Sequence, residues 1–306
     1  MQHKKENILI RITKYIVRLQ AHIRLNKRTF IIYSILRGLV ILTLIRCLMT
    51  GNYESAMYCV LSLILFLLPS FFTTNFKITI PPVFEIIIYC FIFAAEILGE
   101  INHYYVLIPG WDTMLHTING FLCAAVGYSL VDLLNRNSKN MDLSPFYLTI
   151  QAFCFSMTVG VLWEFFEFSM DSFFLMDTQK DFIVNSFGSV TLDPNMQGAT
   201  IRVTGITETL IKTASGEIYT IPGGYLDIGI QDTMKDLIVN FVGAVVFCIF
   251  GYIYVKNRQK NIASKLMITT STEEEIQKLR ETDDALAAKE QEIKEKLFKK
   301  KADKLQ

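Results

Sequence analysis

The stretch WDTMLHTING sets Asp112 and His116 four residues apart, on one face of a helix, with Asn119 and Gly120 one turn further on. WEFFEFSMD puts Glu164, Glu167 and Asp171 at i, i+3 and i+7; DTMKDLIVNFVGA puts Asp232, Asp236 and Asn240 at i, i+4 and i+8, with Gly243 beyond. One imidazole among carboxylates and an amide can bind a divalent metal ion through an oxygen-rich shell, or use a carboxylate–histidine pair as a general base. Asp112, His116, Glu164, Glu167, Asp232, Asp236 and Asn240 are therefore the candidate metal ligands, and His116, Glu164 and Asp236 the candidate catalytic groups. The spacing fits no HExxH zinc helix, and no Ser or Cys nucleophile stands beside a base. There is no glycine-rich phosphate loop, and the basic tails lack aromatic interleaving, so nucleotide and nucleic-acid partners have no support.

The elements that must carry these groups are apolar. The chain has 306 residues, 51% hydrophobic and 19% charged, with a mean hydropathy of +0.34. Six runs are long enough, or nearly so, to cross ~30 Å of hydrocarbon, about 29–50, 55–72, 82–99, 111–134, 145–170 and 233–254. A charged side chain inside such a run costs roughly 2.5–3.5 kcal/mol on insertion scales, which makes the ionisable positions the informative ones. Glu96, Glu100 and His103 fall at the same end as the three stripes, where Arg46 is placed to pair with Glu96. Arg37 and Glu85 lie nearer the other end and read as structural or snorkelling groups.

The net charge of +1 conceals two blocks: residues 1–28 and 255–306 together hold 21 of the 30 Lys and Arg but 11 of the 29 Asp and Glu. The connections at 51–54 and 100–110 contain no Lys or Arg. Positive flanks stay inside, so both termini are expected in the cytoplasm of a plasma-membrane protein, with the polar stripes opening outward. The six cysteines fall one per span and read as small buried apolar side chains rather than a disulfide framework.

The remaining segments follow from their patterns. Residues 1–28 form a basic amphipathic helix suited to the inner membrane surface. An external β-hairpin insertion is expected at about 186–226, turning at Ser215 and Gly216. The tail 255–306 is charged and helical; Leu279, Leu286 and Ile293 repeat every seven residues, but Asp283 and Glu290 interrupt the companion seam, so a solvated helix is favoured over oligomerisation through it. The expected fold class is thus an all-α integral membrane protein, a six-transmembrane-helix bundle with a small external β-rich insertion and cytoplasmic helical tails.

The order DTMLH, then WEFFE, then GGYLDIGIQDTMKDLIVNFVGA resembles the YjdF-like family of bacterial membrane-spanning proteins over roughly residues 80–255. It is also distantly similar to the VanZ-like group, whose Asp-x-x-x-His, Glu-containing span and Asp-x-x-x-Asn with a following Gly match Asp112 and His116, Glu164, then Asp236, Asn240 and Gly243. That resemblance implies a cell-envelope setting, linked in the VanZ-like group to glycopeptide and lipopeptide tolerance. The β-rich insertion, Glu167 where Gln is more usual, and the charged tails depart from the VanZ-like pattern. Sparse Ala with abundant Ile, Lys and Asn suits a low-GC Gram-positive source. The expectation is an outward-facing acidic and histidine site that binds a cation or a lipid-linked envelope substrate, with membrane lipids as neighbours. An ion-coupled transporter and a non-catalytic membrane scaffold are the alternatives.

Overall fold

Backbone N–H and C=O groups cannot be left unpaired in hydrocarbon, so runs this apolar close their hydrogen bonds internally as helices. The computed structural model describes residues 8–76, 78–138, 142–257 and 266–302. Six of its helical stretches are long and apolar enough to span a membrane. Helix α1 (Ile8–Ile23) precedes them. The first is α2 (Lys27–Met49), whose start is fixed by the Asn26 side chain accepting from the Arg28 and Thr29 amides.

The second span, expected as one helix over 55–72, is broken into α3 (Tyr53–Leu65) and α4 (Leu68–Phe76). Pro69 is the physical reason: it has no N–H to give to Leu65, and its ring crowds that carbonyl. After β1 (Ile78–Thr79), the third span begins as α5 (Pro82–Ile92) and passes into a π-helical stretch, Phe93–Ile101. A one-turn helix, α6 (Tyr104–Leu107), leads to α7 (Trp111–Asn137). Ser144 caps α8 (Pro145–Phe174), and α9 (Ile230–Asn257) is the last spanning helix.

The insertion between α8 and α9 holds more than one hairpin. Strands β5 (Glu208–Lys212) and β6 (Ile218–Pro222) pair across Gly216, which sits at φ +89°. The stretch from 199 onward, read as part of that hairpin, is instead β4 (Ile201–Thr204), and it pairs back with β3 (Ser186–Ser189). A further ladder joins β2 (Phe182–Val184) to β7 (Tyr225–Asp227), so the insertion starts earlier than residue 186. Alternation marks a strand but not its partner.

Two apolar cores hold the helices together. One joins Phe84 of α5, Tyr128 of α7, Leu148 of α8 and Phe247 of α9. The other centres on Tyr33, Phe66 and Tyr89, whose ring centroids lie 5.3–6.1 Å apart. Arg37 donates to the Tyr33 hydroxyl at 2.7 Å, and Glu85 accepts from Tyr89 at 2.8 Å, so both have structural partners. All six cysteines are free thiols; Cys47, Cys59 and Cys248 are buried, whereas Cys90 and Cys154 are exposed, which corrects the reading of all six as interior.

The chain after residue 255 is not wholly a solvated tail. Leu266, Met267 and Ile268 are buried in the first core, with the Ile268 amide donating to Ser129 at 3.0 Å. Strand β8 (Thr269–Thr270) pairs with β1, and α10 (Glu273–Ala302) then turns back toward α1. There Asp283 accepts from Arg18 Nε at 2.7 Å and lies 3.1 Å from His22 Nε2, while His22 Nδ1 is 2.8 Å from Thr74 Oγ1. Burial pushes the His22 imidazole below its ordinary value of 6.5, and the Asp283 carboxylate only partly offsets this. The folded protein therefore holds this proton less well than the unfolded chain, and the contribution of His22 to overall stability is expected to be constant above pH 6.5 and to be lost as the pH falls through the lowered value of the buried ring. The melting temperature should fall between pH 7.5 and pH 5 by more in the parent than in His22→Gln; equal falls would contradict it.

Candidate functional site

Gly110, at φ +79°, reverses the chain into α7 and leaves Asp112 in the first turn of that helix, where the exposed N–H groups favour a carboxylate. His116 is one turn deeper and points at α9. Its Nε2 lies 3.4 Å from Asp112 Oδ1 and 3.6 Å from Asp236 Oδ2, and its Nδ1 lies 4.0 Å from Glu164 Oε1. Donor atoms of Asp112, His116 and Asp236 all fall within 4.8 Å of one another. Three helices thus supply four ionisable groups to one place.

The surroundings are buried and partly unsatisfied. Asp236 is 1% exposed and Glu164 4% exposed. Asp236 Oδ1 and Glu164 Oε2 are buried with no hydrogen-bond partner among the described residues. Unmet acceptors in such a place cost free energy unless a cation or donor meets them. Lys235 already pairs with one member of the centre, its Nζ donating to Asp112 Oδ2 at 3.1 Å, and lies 4.0 Å from Asp232 Oδ1.

The other candidates are placed differently. Asp232 Oδ2 accepts from the Lys180 amide at 2.7 Å and thereby ties the insertion to the start of α9. Asp171 does the same for the end of α8, accepting from Thr178 N, Thr178 Oγ1 and Gln179 N at 2.7, 2.6 and 2.8 Å. Glu167 turns away from His116 and accepts from Trp163 Nε1 at 2.8 Å. Asn240, 1% exposed, is a pin between helices: it accepts from Asn119 Nδ2 at 3.2 Å and donates to the Ser156 carbonyl at 3.5 Å. Gly160 leaves the room for it, since a Cβ there would lie 2.9 Å from Asn240 Nδ2.

His103 is exposed in a left-handed conformation, φ 57°, away from the centre. No Arg46–Glu96 ion pair forms among the described residues; Arg46 is exposed, whereas Glu96 is buried. Sequence reasoning missed Gly160, Ser156 and the Thr178–Lys180 segment. Only the glycine carried a signal, as a small residue one turn before Glu164.

Six spanning helices with an ionisable centre at one end of α7, α8 and α9 define a multi-pass membrane protein. The chain belongs to the family described as "Predicted membrane protein (DUF2238)", whose model matches residues 31–193. That stretch takes in Asp112, His116, Glu164 and Glu167 and stops short of Asp232, Asp236 and Asn240. The chain is also 28% identical over 109 residues to an uncharacterized protein of Thermotoga maritima, a match covering 33% of this chain and 55% of that protein. The chain therefore spans about half the length of the relative it matches. No solved structure matches it.

Proposed function

We propose that this protein holds one divalent metal ion between Asp112, His116 and Asp236, in the outer turns of a plasma-membrane bundle whose termini are cytoplasmic. The observation that carries the proposal is the spacing around His116 Nε2, 3.4 and 3.6 Å to two carboxylate oxygens that do not hydrogen-bond to it. Two ligands about 2.0–2.1 Å from a tetrahedral ion sit about 3.3–3.4 Å apart, so the centre needs little contraction to close on zinc or a similar ion. An imidazole beside carboxylates suits Zn²⁺ or Mn²⁺ better than Ca²⁺. Glu164 stands at the other ring nitrogen, the position of a carboxylate that orients a ligating histidine.

Three protein ligands leave a coordination position open, where a metal ion polarises a bound oxygen or activates water. The resemblance of DTMLH, WEFFE and the last span to YjdF-like and VanZ-like proteins favours a lipid-linked envelope substrate for that position. The transporter reading has less support. At the level of Asn240, Gly120 and Gly243 bring α7 and α9 into backbone contact, and further along the two helices Phe121 and Phe247 pack edge to face with centroids 5.1 Å apart.

Detergent-purified protein should carry about one divalent ion per chain by elemental analysis. Chelation should strip it, and Zn²⁺ or Mn²⁺ should restore both occupancy and thermal stability. Equal metal content in the parent and His116→Ala proteins would overturn the proposal.

A further inference from the structure

On α8, three residues beyond Glu164, Glu167 faces a second cavity that the metal centre does not use. It lies between α3, the π-helical end of the third span, α6 and α8, and it is lined by Tyr58, Glu96, Glu100, Tyr105, Trp163 and Glu167. Its volume is about 20 Å³, room for one water-sized group. Glu96 is 4% exposed, lines this cavity, and has no hydrogen-bond or ion-pair partner among the described residues. Glu96 and Glu100 are four residues apart and so share one face of the third span, here on its π-helical stretch.

Three carboxylates and four aromatic rings, Phe166 among them, around a space this size suit one kind of guest. A bare divalent ion is a poor fit: Glu96, Glu100 and Glu167 do not converge as Asp112, His116 and Asp236 do among the described residues. An ammonium group fits better, because its N–H bonds to carboxylates are longer than metal bonds and its charge is attracted to ring faces within about 6 Å. The chain supplies its own example. Lys180 Nζ lies 5.7 Å from the centroid of Tyr105 and 3.9 Å from Glu100 Oε1, an ammonium resting at the rim.

We propose that this cavity binds a primary ammonium group, with Glu96 as its buried counter-charge and Lys180 as a competing group at the mouth. The ammonium could be carried by a lipid headgroup such as phosphatidylethanolamine or by a free small amine. The inference does not rest on the metal centre, and its failure leaves the metal reading untouched.

Trp163 is one of two tryptophans, so a Trp111→Phe background makes it the sole reporter. In phosphatidylcholine nanodiscs, methylammonium should change Trp163 emission saturably. Glu96→Gln should weaken that response at least tenfold while divalent-ion occupancy stays unchanged, and Lys180→Ala should strengthen it. Tetramethylammonium, too large for the space, should compete poorly. Retention of phosphatidylethanolamine through purification, lost in Glu96→Gln, assigns the group to a lipid; a methylammonium response without such retention assigns it to a free amine. No saturable response, or one that Glu96→Gln and Lys180→Ala both leave unchanged, would overturn the proposal.

Discussion

Asp236→Asn should raise the dissociation constant for the divalent ion by at least 100-fold while leaving the protein folded. Asp236 is 1% exposed, its Oδ2 is 3.6 Å from His116 Nε2, and its Oδ1 has no hydrogen-bond partner among the described residues. The amide keeps the volume and removes the charge that balances the metal, so no cavity forms. Without metal the substitution should be neutral or stabilising, because it relieves a buried carboxylate crowded by Asp112 and Asp232. With metal the order reverses. An ion present at 100 times its dissociation constant stabilises the parent by about 2.7 kcal/mol, a gain the variant should lack. Glu164→Gln should cost less, about 10–100-fold, as expected of a group that acts on the metal only through the imidazole. Isothermal titration with Zn²⁺ or Mn²⁺ and paired melting curves give both readouts. Equal metal-induced shifts in parent and Asp236→Asn would contradict these roles.

Gly243→Ala should be the most damaging single methyl in the chain. A Cβ at Gly243 would be driven into the Thr117 carbonyl of α7, and one at Gly120 into the Asn240 carbonyl of α9. The two contacts are reciprocal, and both obstacles are backbone rather than a side chain that could swing aside. Small residues at membrane helix interfaces permit this approach. Overpacking in a tight interior costs about 1–3 kcal/mol, and here it also pushes apart the helices that carry His116 and Asp236. Loss of stability and of metal affinity should therefore go together. Gly38→Ala is the control: no atom lies within 4 Å of its added Cβ, so it should be harmless. A Gly243→Ala protein with parental melting temperature and metal affinity would show that α7 and α9 are not packed this closely.

Much of this architecture was legible from residue order alone, for reasons that differ by element. The spans are fixed by the absence of water for backbone groups, a constraint every residue in the run expresses, so their existence survives errors at their ends. The stripes in WDTMLHTING and DTMKDLIVNFVGA were readable because i, i+4 spacing fixes a shared face. Which neighbour that face meets is not periodic information. Glu164 and Glu167 looked equivalent by spacing, yet one meets His116 and the other Trp163. The helix break before Pro69 had a local signal and could have been read. The π-helical turn and the burial of Leu266–Ile268 beneath Ser129 depend on distant packing and had none.

The most direct test of the metal centre is X-ray absorption at the edge of the ion in protein loaded with one equivalent of Zn²⁺. A first shell containing one imidazole nitrogen and carboxylate oxygens at about 2.0–2.1 Å is expected, with the imidazole scattering lost in His116→Ala. A shell of oxygens alone, unchanged by that substitution, would contradict a centre built on Asp112, His116 and Asp236.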